Sequence, residues 1–365
     1  MEKAKIRHLF PGGNTPQGFF SYYNYIISND ANRIFILKGG PGTGKSTFMR
    51  KIGEELVAQG YDAEFHHCSS DNNSLDGVVI PKLKVALIDG TAPHVVDPKL
   101  PGCIDEILPL GEYWDEQGIL AHKANIMACT AEISKNYQRA YRLLRAAKYI
   151  YEDFAAINTE ALDILKTNQV AHDLIEKIFN DSKKSGSGKI RKLFASAITP
   201  DGPVNYLESS VWSVGTCHVI SGDPGTGKST IIQKVINTAV TMGFAIEVYY
   251  CPLDPEKPEH VVIPELNTGV TTSNIPHIYS PPKGNLFTSV NMNDYLNSSI
   301  TGKYQENISY DQQMFWELFG KTIGCLKQSK QLHDQLENYY VPYMNFQGIN
   351  DLREKTMKRI LSYQN

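Results

Sequence analysis

Gly39-Gly40-Pro41-Gly42-Thr43-Gly44-Lys45-Ser46-Thr47 follows the apolar run Arg33–Lys38 and leads into a helical pattern from Ser46 to Gln59 that stops at Gly60. A buried strand, a glycine loop and a helix in that order satisfy G-x-x-x-x-G-K-[ST] in its proper context. Glycines lack a Cβ, so they allow a tight loop whose successive backbone N–H groups turn toward one point. An anion placed there is also favoured by the N-terminus of the following helix. The stretch is repeated: Gly222-Asp223-Pro224-Gly225-Thr226-Gly227-Lys228-Ser229-Thr230 lies 183 residues downstream.

The offset of 183 persists without a gap. It pairs Gly60 with Gly243, Glu64 with Glu247, Cys68 with Cys251, Asp71 with Asp254 and Val78–Pro81 with Val261–Pro264, and roughly twenty of the 56 positions from Gly39 to His94 coincide. Upstream, Ile6–Phe10 resembles Ile190–Phe194 at offset 184, and Phe154–Asn158 resembles Phe346–Asn350 at offset 192. Each half therefore begins before its loop and ends in a helical segment. The polar, basic, Gly/Ser-rich piece Ser182–Lys189 has the composition of a linker and places a boundary near Gly186. The expected domains are residues 1–185, with an α/β core to about 111 and helices over 112–181, and 186–365, with a core over about 190–300 and helices over 310–363. Further strands are expected at Ala63–Cys68 and Val85–Asp89. The fold class is α/β: two tandem three-layer αβα domains with mainly parallel sheets, each followed by a helical appendage.

Composition narrows the function classes. The 365 residues are 41% hydrophobic and 21% charged, values of a globular chain long enough for two cores. With 36 basic and 39 acidic residues and a pI near 6.4, no global charge favours nucleic acid or anionic lipid. No stretch reaches the roughly 18 apolar residues of a membrane span, and the start of the sequence lacks a signal-peptide pattern, so a cytoplasmic location is expected. The six cysteines show no C-x-x-C spacing, which points to reduced thiols rather than zinc or disulfides.

The paired loops resemble those of tandem P-loop NTPases of the AAA-type and RecA-like ATPase superfamily, and the duplication resembles a bacterial tandem-ATPase family. The resemblance implies ATP and Mg²⁺ as cofactors. Lys45 and Lys228 would bridge β- and γ-phosphate oxygens, and the hydroxyls of Ser46 and Ser229 would ligate the metal. Val85–Ile88 running into Asp89 is similar to a Walker B strand, whose acid holds the metal shell. At offset 183 that acid is replaced by Thr272, within the run Thr268–Ser273 that has also lost its apolar character. Hydrolysis is therefore expected at the first site, and nucleotide binding or regulation at a degenerate second site.

Gly90 stands where many AAA-type proteins carry a catalytic Glu. In RecA-like proteins the acid lies after the next strand, a place filled here by Asp71, and by Asp254 in the second half. Asp71 is thus the candidate to orient water, against the alternative of an Asx turn before Asn72 and Asn73; Asp76 and Glu112 are weaker candidates. His94 and His277, each after a proline, are readable as phosphate sensors or as buried turn residues. Lys135, Arg139, Arg142, Arg145 and Lys148 follow helical spacing, compatible with a phosphate clamp or a solvated face.

Three functions remain open on sequence: an ATPase whose two repeats pair intramolecularly, a P-loop kinase of a small molecule or nucleotide, and a nucleotide-dependent nucleic-acid-binding or scaffold module, which the acidic pI disfavours. A protein partner stays open as well, and no membrane is expected.

Overall fold

A computed structural model describes residues 4–93, 95–180, 182, 184–279 and 286–364. In chain order the first half forms β1 (Ile6–Leu9), β2 (Gly12–Thr15), β3 (Gly18–Ser21), β4 (Arg33–Lys38), α1 (Lys45–Ala58), β5 (Ala63–Cys68), β6 (Asp71–Ile80), β7 (Val85–Asp89), β8 (Asp105–Pro109), α2 (Glu116–Leu120), α3 (Lys123–Ala161) and α4 (Ile164–Phe179). The second forms β9 (Ile190–Leu193), β10 (Ser196–Thr199), β11 (Gly202–Asn205), β12 (Thr216–Ser221), α5 (Lys228–Thr241), β13 (Ile246–Cys251), β14 (Asp254–Ile263), β15 (Thr268–Ser273), β16 (Leu286–Asn291), α6 (Ser298–Lys303), α7 (Gln305–Glu337) and α8 (Phe346–Leu361).

The two six-stranded sheets have the same order, β1-β5-β6-β7-β4-β8 and β9-β13-β14-β15-β12-β16. All neighbours are parallel except β6 and β14, which run antiparallel to both of their partners. The expected class, α/β with mainly parallel sheets, is the one observed. Buried Phe48, Met49, Ile52 and Leu56 place one stripe of α1 on the first sheet, and Ile231, Ile232, Val235 and Ile236 do the same for α5 on the second. Two elements depart from sequence expectation. The polar start of β6, Asp71–Ser74, reads as a turn, yet it continues a hairpin with β5 whose register shifts at His66 and His67. The threonine-rich β15 remains a fully buried strand, because β-branched threonine suits a pleated surface and Thr271 Oγ1 bonds His260 Nδ1 at 2.7 Å.

By contacts the chain divides into two compact units. One holds the chain to Gly13, Phe19–Arg139 and the chain from Gly324; the other holds Asn14–Gly18 and Ala140–Ile323. The composition boundary near Gly186 therefore does not coincide with the edges of the packed units, and Lys183 and Asp181 beside it lie outside the described residues. The reason is amphipathic. In the first unit α8 buries Ile349, Met357 and Ile360 among Phe48, Ile52 and Leu56, while in the second α4 buries Ala171 and Phe179 among Ile231, Val235 and Ala239. Each α/β core is thus completed by the terminal helix of the other sequence half.

The helix starts also correct the register of the repeat. Asp115 and Asn297 cap α2 and α6, and Asp163 and Asn345 cap α4 and α8, each accepting a backbone N–H at 3.0–3.1 Å. Both pairs are 182 residues apart, so the similarity at offset 192 is out of register: Phe154–Asn158 ends α3, whereas Phe346–Asn350 opens α8.

Ile360→Ala removes a fully buried side chain and is expected to cost about 2–5 kcal/mol. Hydrogen exchange should then quicken in Lys45–Ala58. Faster exchange confined to Lys228–Thr241 would contradict the assignment of α8 to the first core.

Candidate functional site

The two glycine loops share their central geometry and differ at the first glycine, where Gly222 takes φ of +140° and Gly39 does not. Gly42 and Gly44 adopt φ of +69° and +80°, and Gly225 and Gly227 adopt +81° and +82°, conformations that a Cβ disfavours. The loop threonine closes the turn in each, Thr43 Oγ1 to Gly40 O at 2.9 Å and Thr226 Oγ1 to Asp223 O at 2.8 Å. Among the described residues, the N–H groups of Gly42 through Ser46 and of Gly225 through Ser229 donate to no backbone carbonyl. Orphan amides gathered at a helix N-terminus make a site for an oxyanion.

In the first unit Lys45 Nζ folds back onto Gly39 O and Gly40 O at 3.0 and 2.9 Å, with Asp89 Oδ2 3.7 Å away. Asp89 Oδ1 accepts from the backbone and hydroxyl of Thr91. Register explains the meeting of Lys45 and Asp89: Asp89 pairs with Leu37, the residue just before the strand gives way to the loop. Ser46 Oγ accepts from Leu75 N at 2.9 Å. Hard oxygen donors beside a lysine suit Mg²⁺ together with phosphate, so Ser46 and Asp89 fit the expected metal. Residues near the end of the chain wall this loop: a Cβ on Gly40 would lie 3.2 Å from Tyr340, and one on Gly42 would lie 2.9 Å from Val341 Cγ2. A cavity of about 180 Å³ beside Gly44 and Thr47 is faced by Phe346, Asn350 and Arg353.

In the second unit the corresponding lysine makes the same bonds, Lys228 Nζ to Gly222 O at 2.8 Å and Asp223 O at 2.6 Å. Here α3 grips the loop from outside, with Asn158 Nδ2 donating to Pro224 O at 2.7 Å and Thr159 Oγ1 to Gly225 O at 3.2 Å. Carbonyls held outward leave the amides for a ligand. The cavity has about 340 Å³, and Lys148, Lys228, Ser229, Lys257, Glu259 and Thr272 contribute to its wall. That volume is within the range of about 300–1,000 Å³ common for small-ligand sites. Burial pulls Lys228 down to about 7, with Lys257 adding to the effect, and burial pushes Glu259 up to about 8 against the attraction of Lys228 and Lys257.

Thr272 occupies the place of Asp89, pairing with Ile220 as Asp89 pairs with Leu37. Asp71 closes the Asx turn: Oδ1 accepts from Asn73 N at 3.1 Å, Oδ2 accepts from Ser74 Oγ at 3.0 Å, and Lys330 Nζ lies 3.5 Å away. Its carboxylate is turned into its own loop and toward that lysine. Asp254 has Lys148 Nζ at 3.3 Å. His277 is buried, stacked on Tyr279 and pulled down to about 3 by burial, which makes it a neutral packing residue. His94 lies outside the described residues. Of the basic helical stripe, Lys148 reaches the second cavity, whereas Arg139, Arg142 and Arg145 are exposed. Sequence reading missed Glu259, although it lies 183 residues after Asp76, and it missed Lys330, which lies 182 residues after Lys148.

Over 124 residues the chain is 28% identical to the nucleoside-triphosphatase THEP1 of Sulfurisphaera tokodaii, a stretch covering 33% of this chain and 69% of that protein. No protein-family model and no solved structure matches the chain. No helix among the described residues is long and apolar enough to cross a membrane.

Gly42→Ala and Gly225→Ala impose the same left-handed strain, about 1–2 kcal/mol, but meet different neighbours. The added methyl meets a movable Val341 methyl in one case and the Ala155 backbone oxygen at 2.0 Å in the other. Thermal denaturation should show the larger loss for Gly225→Ala; equal losses would contradict the close docking of α3 on the second loop.

Proposed function

We propose that the protein binds ATP at both loops and hydrolyses it at the first, with the second serving as a binding or regulatory site. The observation that carries this reading is the pair of loops with unpaired amides at helix N-termini, each with a lysine held at the loop's own carbonyls. The similarity to a nucleoside-triphosphatase supports the same chemistry. The matching strand order of the two sheets supports an origin by tandem duplication.

At the first site the amides of Gly42 through Ser46 bind the phosphate oxygens, and Lys45 leaves the carbonyls of Gly39 and Gly40 to neutralise γ-phosphate charge. Mg²⁺, held by Ser46 and Asp89, would supply further neutralisation of the β- and γ-phosphates. Asp89 is kept in place by Thr91. Tyr340 and Trp114 pack beside Gly40 at the edge of the loop. No proton transfer is assigned to Asp71, whose hydrogen bonds leave it to orient Lys330.

Phosphate release from ATP without any added acceptor should fall at least about a hundredfold in Lys45→Ala and in Asp89→Asn, the scale of losing a main electrostatic stabiliser. Lys228→Ala should change nucleotide affinity and leave first-site turnover in place. Equal loss of turnover in Lys45→Ala and Lys228→Ala would contradict the unequal roles. Turnover that requires an acceptor would make the protein a kinase.

A further inference from the structure

The second cavity contains a carboxylate that the sequence comparison of the two loops does not assign. Glu259 is 4% exposed, it lines the cavity with Lys228, Ser229 and Thr272, and its Oε2 has no hydrogen-bond partner. His260 Nε2 lies 3.5 Å from it, on a ring that burial pulls down to about 3 and so keeps neutral. A buried carboxyl whose Oε2 has no hydrogen-bond partner is costly to ionise unless a cation enters the cavity with the ligand.

Its place in the sheet gives it a specific counterpart. His260 pairs with Thr271 across antiparallel β14 and β15, Glu259 and Thr272 are the next residues on those strands, and both line the cavity. In the first unit Gly77 pairs with Ile88, and Asp76 and Asp89 are the next residues on those strands. There both cross-strand positions are acidic, and burial together with the nearby Asp76 carboxyl pushes the Tyr23 hydroxyl up. In the second unit the acid at the end of the parallel strand has become a neutral threonine, and the neighbouring acid is one methylene longer. A side chain on the adjacent strand, about 4.7–4.9 Å away, can serve the same cavity if it is long enough.

We propose that Glu259 supplies the carboxylate for a divalent cation at the second loop, together with the Ser229 hydroxyl, so that this site takes a metal–nucleoside triphosphate. The inference rests on the reading of the second loop as a nucleotide site. Mg²⁺ is bound in such sites by one or two protein oxygens, phosphate oxygens and water. Glu259 and Ser229 provide the protein share, and Lys228 and Lys257 provide charge for the phosphates.

The test uses the full chain carrying Lys45→Ala, which silences the first loop, and a fluorescent non-hydrolysable ATP analogue titrated with Mg²⁺ or with EDTA. Mg²⁺ should raise affinity by about tenfold or more, the lower end of what perturbing a metal's surroundings changes. With Mn²⁺ in place of Mg²⁺, the protein-bound analogue should broaden the manganese spin-resonance signal. Adding Glu259→Gln should abolish the metal effect and the manganese signature while metal-free affinity and the melting curve stay unchanged. Adding Thr272→Asp to that variant, which puts the acid where the first unit has it, should restore both. A full metal effect in the Glu259→Gln protein would overturn the proposal, as would an equal loss of metal-free affinity, which marks a structural role. Failure of the Lys45→Ala protein to bind the analogue under either condition overturns the parent reading as well, and it is told apart because it needs no change at Glu259.

Discussion

Ten backbone amides without carbonyl partners, five at the start of α1 and five at the start of α5, are the constraint around which each unit is organised. Peptide N–H groups left unpaired in a folded protein are costly. These are tolerated because they open to a cavity or surface where an oxyanion or water replaces the missing acceptor. Left-handed glycines make the loop, and the helix fixes its exit. The loop lysine in each unit is held on its own loop's carbonyls, beside the amides, until an anion competes for it.

The loops are also held from outside, and the groups that hold them come from distant parts of the sequence. In the second unit Asn158 and Thr159 take the loop carbonyls, and Lys148 meets Asp254. In the first unit the 182-residue counterpart Lys330 meets Asp71, and Tyr340 and Val341 pack on the loop. The same device therefore recurs, a lysine from a long helix paired to an aspartate at the β-hairpin edge, with one helical turn later an acid as a second partner, Glu152 for Lys148 and Asp334 for Lys330. Any anion bound at the loop enters a site whose helix contacts are already charged.

What could be read in advance was what depends on local pattern. The loops, the strands at Arg33–Lys38, Ala63–Cys68 and Val85–Asp89 and the helix after Lys45 all follow from short-range periodicity and glycine placement, and the structure has them within a residue. The strand beginning at Asp71 was not legible, because its polar start acquires strand geometry only by pairing with β5. The packing of α8 on the first core and of α4 on the second is a tertiary choice between two similar α/β surfaces, which hydrophobic spacing cannot make. Glu259 is not found by following the acid along one strand, from Asp89 to Thr272, because a site is shared by neighbouring strands. The sheet is what brings Glu259 and Thr272 to one cavity.

The number of nucleoside triphosphates bound per chain tests the central claim most directly. Calorimetric titration of the intact protein with a non-hydrolysable ATP analogue and Mg²⁺ is expected to give two per chain, one for each set of free amides. Saturation at one, or no heat of binding at all, would contradict the view that both loops are phosphate sites.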